Sequence, residues 1–225
     1  MVSIPLESNV LVRCLDFSGN EISSENLPSP LRLALRRIEL LKLPIYPNAW
    51  PKNPAKEVSS VLLNELFYVG ITAMRNWTGE IEIGRGRIDF GHASRGKLDH
   101  VMEIEIGGSS RLDSDILKLC MIKREIPTVT LSLVAPSRAI KKRCHTGKCA
   151  EEVSVRLREL EPVLDNVRDI IVVEFDVPAK GIPGYTNHLI NGKNRFKNDK
   201  QLFTRGATKK EVRKFIEKNR KSFFI

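Results

Sequence analysis

The chain is predicted to be an α/β protein, with a mixed central β-sheet flanked by helices and a basic C-terminal extension. Short apolar segments with two-residue alternation recur between segments of helical period, in the order helices, strand hairpin, helix, strand, helix, strand. Ile170 to Phe175 is apolar almost throughout, as a strand covered on both faces must be. Charge is concentrated at one end: from Lys193 to Lys221 twelve Lys or Arg residues face only Asp199, Glu211 and Glu217, nine of the chain's net +10. A core domain over residues 1–180, with residues 181–225 as a basic extension packed on it, is the expected division.

Val10 to Cys14 reads as the first strand, turned at Ser18-Gly19-Asn20. Pro30 suits a first helical turn, and Leu31, Leu33, Ala34, Ile38 and Leu41 then form an apolar face, ended near Pro44. A Pro-rich loop containing Trp50 precedes Asn53-Pro54, an N-cap and first residue for a helix reaching about Tyr68 and burying Val58, Val61, Leu62 and Leu66. Glu80 to Ile83 and Arg87 to Phe90 form a hairpin about Gly84-Arg85-Gly86, and a loop from Gly91 to Gly96 leads to a strand from Met102 to Ile106. A helix from Arg111 to Arg124, a strand from Ile126 to Val134, a basic loop from Arg138 to Lys148, and a helical region from Ala150 to Arg168 broken near Pro162 complete the core.

The Met102–Ile106 strand carries the first chemical signal. Met102, Ile104 and Ile106 share one face, and Glu103 and Glu105 share the other. Paired carboxylates on a short apolar strand repel each other and resist burial. Asp89 stands on the strand before. A hard divalent cation relieves that repulsion, and oxygen-only donors suit Mg²⁺, which takes one or two carboxylates and leaves its other positions to water and phosphate. A half-exposed strand with solvated glutamates is the alternative reading of the same pattern.

No apolar run approaches the roughly 20 residues that span a bilayer, and the N-terminus has neither the basic region nor the apolar core of a secretory signal. An intracellular, cytoplasmic protein with reduced Cys14, Cys120, Cys144 and Cys149 is expected. The basic segment has the electrostatic footprint of a polyanion binder, or of a solubility tail.

Arg87-Ile88-Asp89-Phe90, Met102-Glu103-Ile104-Glu105-Ile106-Gly107, a helix, and Thr128 to Pro136 together resemble the catalytic core of type II restriction endonucleases. The resemblance is to the BamHI/BglII-like branch of the PD-(D/E)xK nuclease superfamily and covers Glu80 to Pro136. It implies a restriction-endonuclease-like core and a Mg²⁺-dependent site-specific deoxyribonuclease. In that case Asp89 and Glu103, with the carbonyl of Ile104, would hold the metal, and Glu105 would contact the attacking water, either as general base or through the metal. A helical acid upstream, Glu65, would make an outer-sphere contact. Glu105 stands where most of the superfamily has lysine, a departure shared with this branch; Lys97 is a candidate replacement. The residue before Asp89 is Ile88, where the superfamily often has proline.

Double-stranded DNA is the expected partner, read by a homodimer whose two-fold axis matches a palindrome. The resemblance implies base contacts from Ser109, Ser110 and Arg111, which otherwise only cap the helix. Asn191, Lys193, Asn194, Arg195 and Lys197 mix amides able to read bases with cations able to hold phosphate, or form a polar loop. His92 and His100 are expected in the loop between the acidic strands. Cys144, His145 and Cys149 lack a fourth local ligand for zinc, so a basic loop with reduced thiols is expected there. A structure-specific or repair nuclease of the same superfamily, and a DNA-binding protein without catalysis, are the rival functions.

Overall fold

The computed structural model describes residues 10–41, 59–84, 86–106, 111–144, 147–176 and 208–224. Its strands are β1 (Leu11–Leu15), β2 (Trp77–Ile83), β3 (Gly86–Ser94), β4 (Lys97–Ile104), β5 (Thr130–Pro136) and β6 (Ile170–Asp176). They form one six-stranded sheet in the order β1-β6-β5-β4-β3-β2. β4, β5 and β6 run parallel, while β1 and the β2-β3-β4 meander pair antiparallel, so the sheet is mixed as expected. β5 and β6 lie centrally and are buried over nearly their whole length, which is why their sequences lose the polar alternation.

Helices cover both faces. On one lie α1 (Ser29–Glu39), α2 (Ser60–Thr72), α4 (Arg138–Cys144), α6 (Lys209–Lys218) and α7 (Arg220–Phe223), sharing a core with Phe90, Met102, Val134 and Phe175. On the other lie α3 (Leu112–Glu125) and α5 (Ala150–Leu160), packed on Ile88, Val101, Leu131, Leu133 and Val172. α1 buries Leu31, Ala34, Leu35 and Ile38, the three- and four-residue spacing of a single stripe. Leu33, expected inside, is exposed, because it falls opposite that stripe.

α2 lies deeper than its sequence suggested. Packed against α1, α6 and β2, it buries Leu62, Leu63, Glu65, Leu66, Phe67, Val69, Gly70 and Ile71. Gly70 permits a close approach: a Cβ there would sit 3.2 Å from the Phe224 ring. The Ser59 hydroxyl caps the helix by accepting from the Leu62 amide. The expected start at Asn53-Pro54, and Trp50, lie outside the described residues. Val61 is exposed rather than buried.

Two loops expected from the sequence are regular structure. Gly91 to Gly96 is no loop: β3 runs to Ser94 and β4 begins at Lys97, joined by Arg95 and Gly96 at φ 51° and 75°. Two positive φ values in a two-residue hairpin match the twist of the strands, a geometry usually signalled by Asn-Gly and here hidden in Arg-Gly. The stretch after Arg138 forms α4, with Ile140 and Cys144 in the core. All four cysteines are buried and none is in a disulfide. Burial pushes the Cys14 thiol up to about 12 and that of Cys120 to about 11.

No helix among the described residues is long and apolar enough to cross a membrane.

Candidate active site

β3 and β4 are paired from the hairpin turn back to Phe90 opposite Met102, and there the ladder ends. Beyond it, side chains take over the backbone groups. The Ile104 amide donates to Asp89 Oδ2 at 2.9 Å, and the Asp89 amide points at Glu103 Oε2 at 3.4 Å. β4 is held on its other edge by β5, with the Glu105 amide donating to Val134 O at 2.8 Å. The fork between β3 and β4 therefore brings Asp89, Glu103 and Glu105 to one pocket, of about 270 Å³. That is below the usual range for organic ligands, and ample for a hydrated ion beside a phosphate group.

The pocket is acidic in a basic protein. Glu65, Glu80, Asp89, Glu103, Glu105 and Asp115 line it, against Arg87, Arg111, Lys118, Lys209 and Arg213. Burial, with the nearby Asp89 carboxylate, pushes Glu103 up to about 9 despite the opposing pull of Lys118. Glu105 is pushed up to about 7, again by burial first and then by Asp115 and Asp89. Among the described residues, Glu105 Oε1 is a buried oxygen with no hydrogen-bond partner. An orphaned carboxylate oxygen is costly unless a proton or cation meets it.

Lys118 reaches the acids from α3. Its ammonium donates to Glu103 Oε1 at 2.5 Å and to Arg87 O at 3.1 Å, and pairs with Asp115 Oδ1 at 2.7 Å. From the opposite side, α6 contributes Arg213. Its guanidinium lies 3.3 Å from the centroid of the Tyr68 ring and pairs with Glu65 Oε2 at 2.5 Å and Glu80 Oε1 at 3.3 Å. Lys209 meets Glu80 at 2.7 Å. Burial drives Glu65 upward and exceeds the pull of Arg213. Glu80 has φ 55° in the middle of β2, a left-handed conformation unfavourable for a residue with a Cβ; its carboxylate is held there by the two cations of α6.

As the side chains stand, no three His, Cys, Asp or Glu groups among the described residues converge as a three-ligand metal site requires. The donor chemistry still fits a hard cation. Asp89 and Glu103 supply carboxylate oxygens, Ile104 borders the same pocket, and Mg²⁺ needs no more than one or two carboxylates. An ammonium already sits on Glu103, and Glu105 keeps an unpartnered oxygen.

Asp89, Glu103, Ile104, Glu105, Glu65 and Arg111 thus share one pocket. Ser109, Ser110, Asn191, Lys193, Asn194, Arg195, Lys197 and His145 lie outside the described residues. Lys97 does not enter the site: it stands at the hairpin turn, six residues before Glu103, or about 20 Å along an extended strand. His92 and His100 are strand residues rather than loop residues. His100 is fully buried, bonded to Thr130 Oγ1 at 2.5 Å and Ser132 Oγ at 2.9 Å, and burial drives it down to about 3. His92 pairs with Asp99 at 2.6 Å. Neither lines the pocket.

The sequence reading missed Asp115 and Lys118, though a signal was available. Arg111, Asp115 and Lys118 recur at the four- and three-residue spacing of one helical face, directly after the acidic strand. For Arg213 and Lys209 no local signal existed, since only the packing of α6 on α2 brings them in.

No protein-family model matches the chain, and no curated protein matches it. Among solved structures the fold is similar to the crystal structure of restriction endonuclease BglII complexed with a DNA 16-mer, with a TM-score of 0.48 and 13% identity over 77% of this chain and 79% of that one.

Proposed function

We propose that this chain is a Mg²⁺-dependent, site-specific endonuclease of double-stranded DNA, of the type II restriction class, acting as a homodimer. The observation that carries the reading is the meeting of Asp89, Glu103 and Glu105 at the β3–β4 fork, with a buried Glu105 oxygen left unpartnered. Carboxylates brought together without enough neutralising charge suit a site completed by a cation and a phosphodiester. Asp89 and Glu103, with the Ile104 carbonyl, would hold Mg²⁺, which lowers the pKa of a bound water and offsets phosphate charge when present.

The chain's own groups then have distinct tasks. Glu105, raised to about 7, is suited to take a proton from water near neutral pH. Water oxygen bonds to phosphorus, one P–O ester bond breaks, the water's proton passes to Glu105, and the departing oxygen takes a proton from solvent. Arg111 borders the pocket at the start of α3, where a cation and a helix N-terminus both favour phosphate. Ser109, Ser110, Asn191, Lys193, Asn194, Arg195 and Lys197 remain the proposed DNA contacts, and Glu65 the proposed outer-sphere acid.

Unmethylated phage DNA incubated with the purified chain is expected to give sharp, reproducible fragments with Mg²⁺ and none with EDTA. Glu103→Ala should lower cleavage at least about 1000-fold, since it removes a carboxylate on which both metal binding and water activation depend. Undiminished cleavage by that variant would overturn the site; a smear would point to a nuclease without sequence preference.

A further inference from the structure

The geometry points to Lys118 as the cation that engages the phosphodiester undergoing cleavage. This deepens the nuclease reading and rests on it. An ammonium has three N–H donors, and those of Lys118 are all assigned. One goes to Asp115, three residues earlier on α3, at 2.7 Å; one to the backbone carbonyl of Arg87 on β3, at 3.1 Å; and one to Glu103, at 2.5 Å. The first two anchor the group between helix and sheet. All of these residues line the pocket, but only the third donor is directed at a carboxylate of the candidate metal set.

That asymmetry has a chemical consequence. A Glu103 carboxylate engaged by a divalent cation would no longer need the ammonium, and the third N–H would be left free toward the pocket. Asp115 and the Arg87 carbonyl keep the nitrogen where it was. A phosphate oxygen arriving beside the cation is the acceptor that matches a released, charged donor. Arg213 is less suited, because its carboxylate partners Glu65 and Glu80 are not among the residues that would hold the metal, and its guanidinium is stacked on Tyr68.

The test compares wild type, Lys118→Gln and Lys118→Arg as full-length chains in two assays. In single-turnover cleavage of plasmid with saturating Mg²⁺, Lys118→Gln is expected to be slowed roughly 100-fold, with Lys118→Arg recovering at least a tenth of the wild-type rate. In calorimetric titration with Ca²⁺ alone, Lys118→Gln is expected to bind about threefold more tightly or better, because a cation competing for Glu103 has gone. A purely structural role for Lys118 predicts no such tightening. If Lys118→Gln lowers the melting temperature into the assay range, Lys118→Met, which keeps the aliphatic stem, carries the same expectation. Cleavage by a folded neutral variant within threefold of wild type, or unchanged Ca²⁺ affinity, would overturn the assignment while leaving the nuclease standing. Intact DNA with wild type and Mg²⁺ would overturn both.

Discussion

Glu105 combines burial with an oxygen that no described group satisfies, and its behaviour with pH follows. A carboxyl raised to about 7 in the fold binds its proton more tightly folded than unfolded. Its favourable contribution is complete below the ordinary carboxylate range and is lost as pH rises through about 7. Glu103, at about 9, extends the same trend to higher pH. Metal-free protein should therefore lose stability between about pH 5 and pH 9, contrary to an acid held low by a partner. Replacing Glu105 with Gln removes the charge and keeps the shape, so the variant should be more stable than wild type at pH 8 by about 1–3 kcal/mol in EDTA. Thermal unfolding across pH measures this, and a less stable variant at pH 8 would contradict the burial argument.

At the scale of elements, α6 is attached to the site as well as to the core. Val212 and Ile216 enter the same hydrophobic cluster as α1 and α2, while Arg213 reaches into the pocket to Glu65 and Glu80. Thr208 and Glu211 form a capping box that starts the helix within a basic segment. Removing Arg213 leaves the buried Glu65 carboxylate without its cation, and breaking one half of a buried pair typically costs about 3–5 kcal/mol. Arg213→Ala should fall in that range by urea denaturation, and adding Glu65→Gln should recover part of the loss because the residues share one interaction. A loss below about 1 kcal/mol would mean that apolar packing alone holds α6 in place.

For the whole molecule, two features of opposite sign have to coexist: a net charge of +10 and a pocket with more carboxylates than cations. The surplus of positive charge in Lys193 to Lys221 attracts a polyanion at long range, and the acidic pocket resists it locally until neutralised. The proposed homodimer would present two such pockets to a palindrome. Light scattering should then give twice the chain mass in solution or on DNA with Ca²⁺; a single-chain mass in both states would remove the two-fold reading.

The sequence by itself determined the class of fold and singled out three acids that the fold gathers in one pocket. Alternation in Met102–Ile106, continuous apolarity in Ile170–Phe175 and the order of elements are local patterns. Although β4 ends at Ile104, and Glu103 and Glu105 are buried like their apolar neighbours, such patterns mark strands and layers. They were enough to single out Asp89, Glu103 and Glu105, and the family resemblance added Glu65. Local pattern failed where a rare solution replaced a common one, as in the Arg95-Gly96 turn that made strands of an expected loop. Only the tertiary structure decided what surrounds the acids. Lys118 meets Glu103 because α3 packs on the sheet face that carries Ile88 and Val101; Arg213 meets Glu65 across 148 residues because α6 packs on α2. The same packing buries Glu65 on a helix covered from several sides. Burial, charge pairing and shifted pKa values are properties of neighbours brought together by the fold, and no spacing along the chain encodes them.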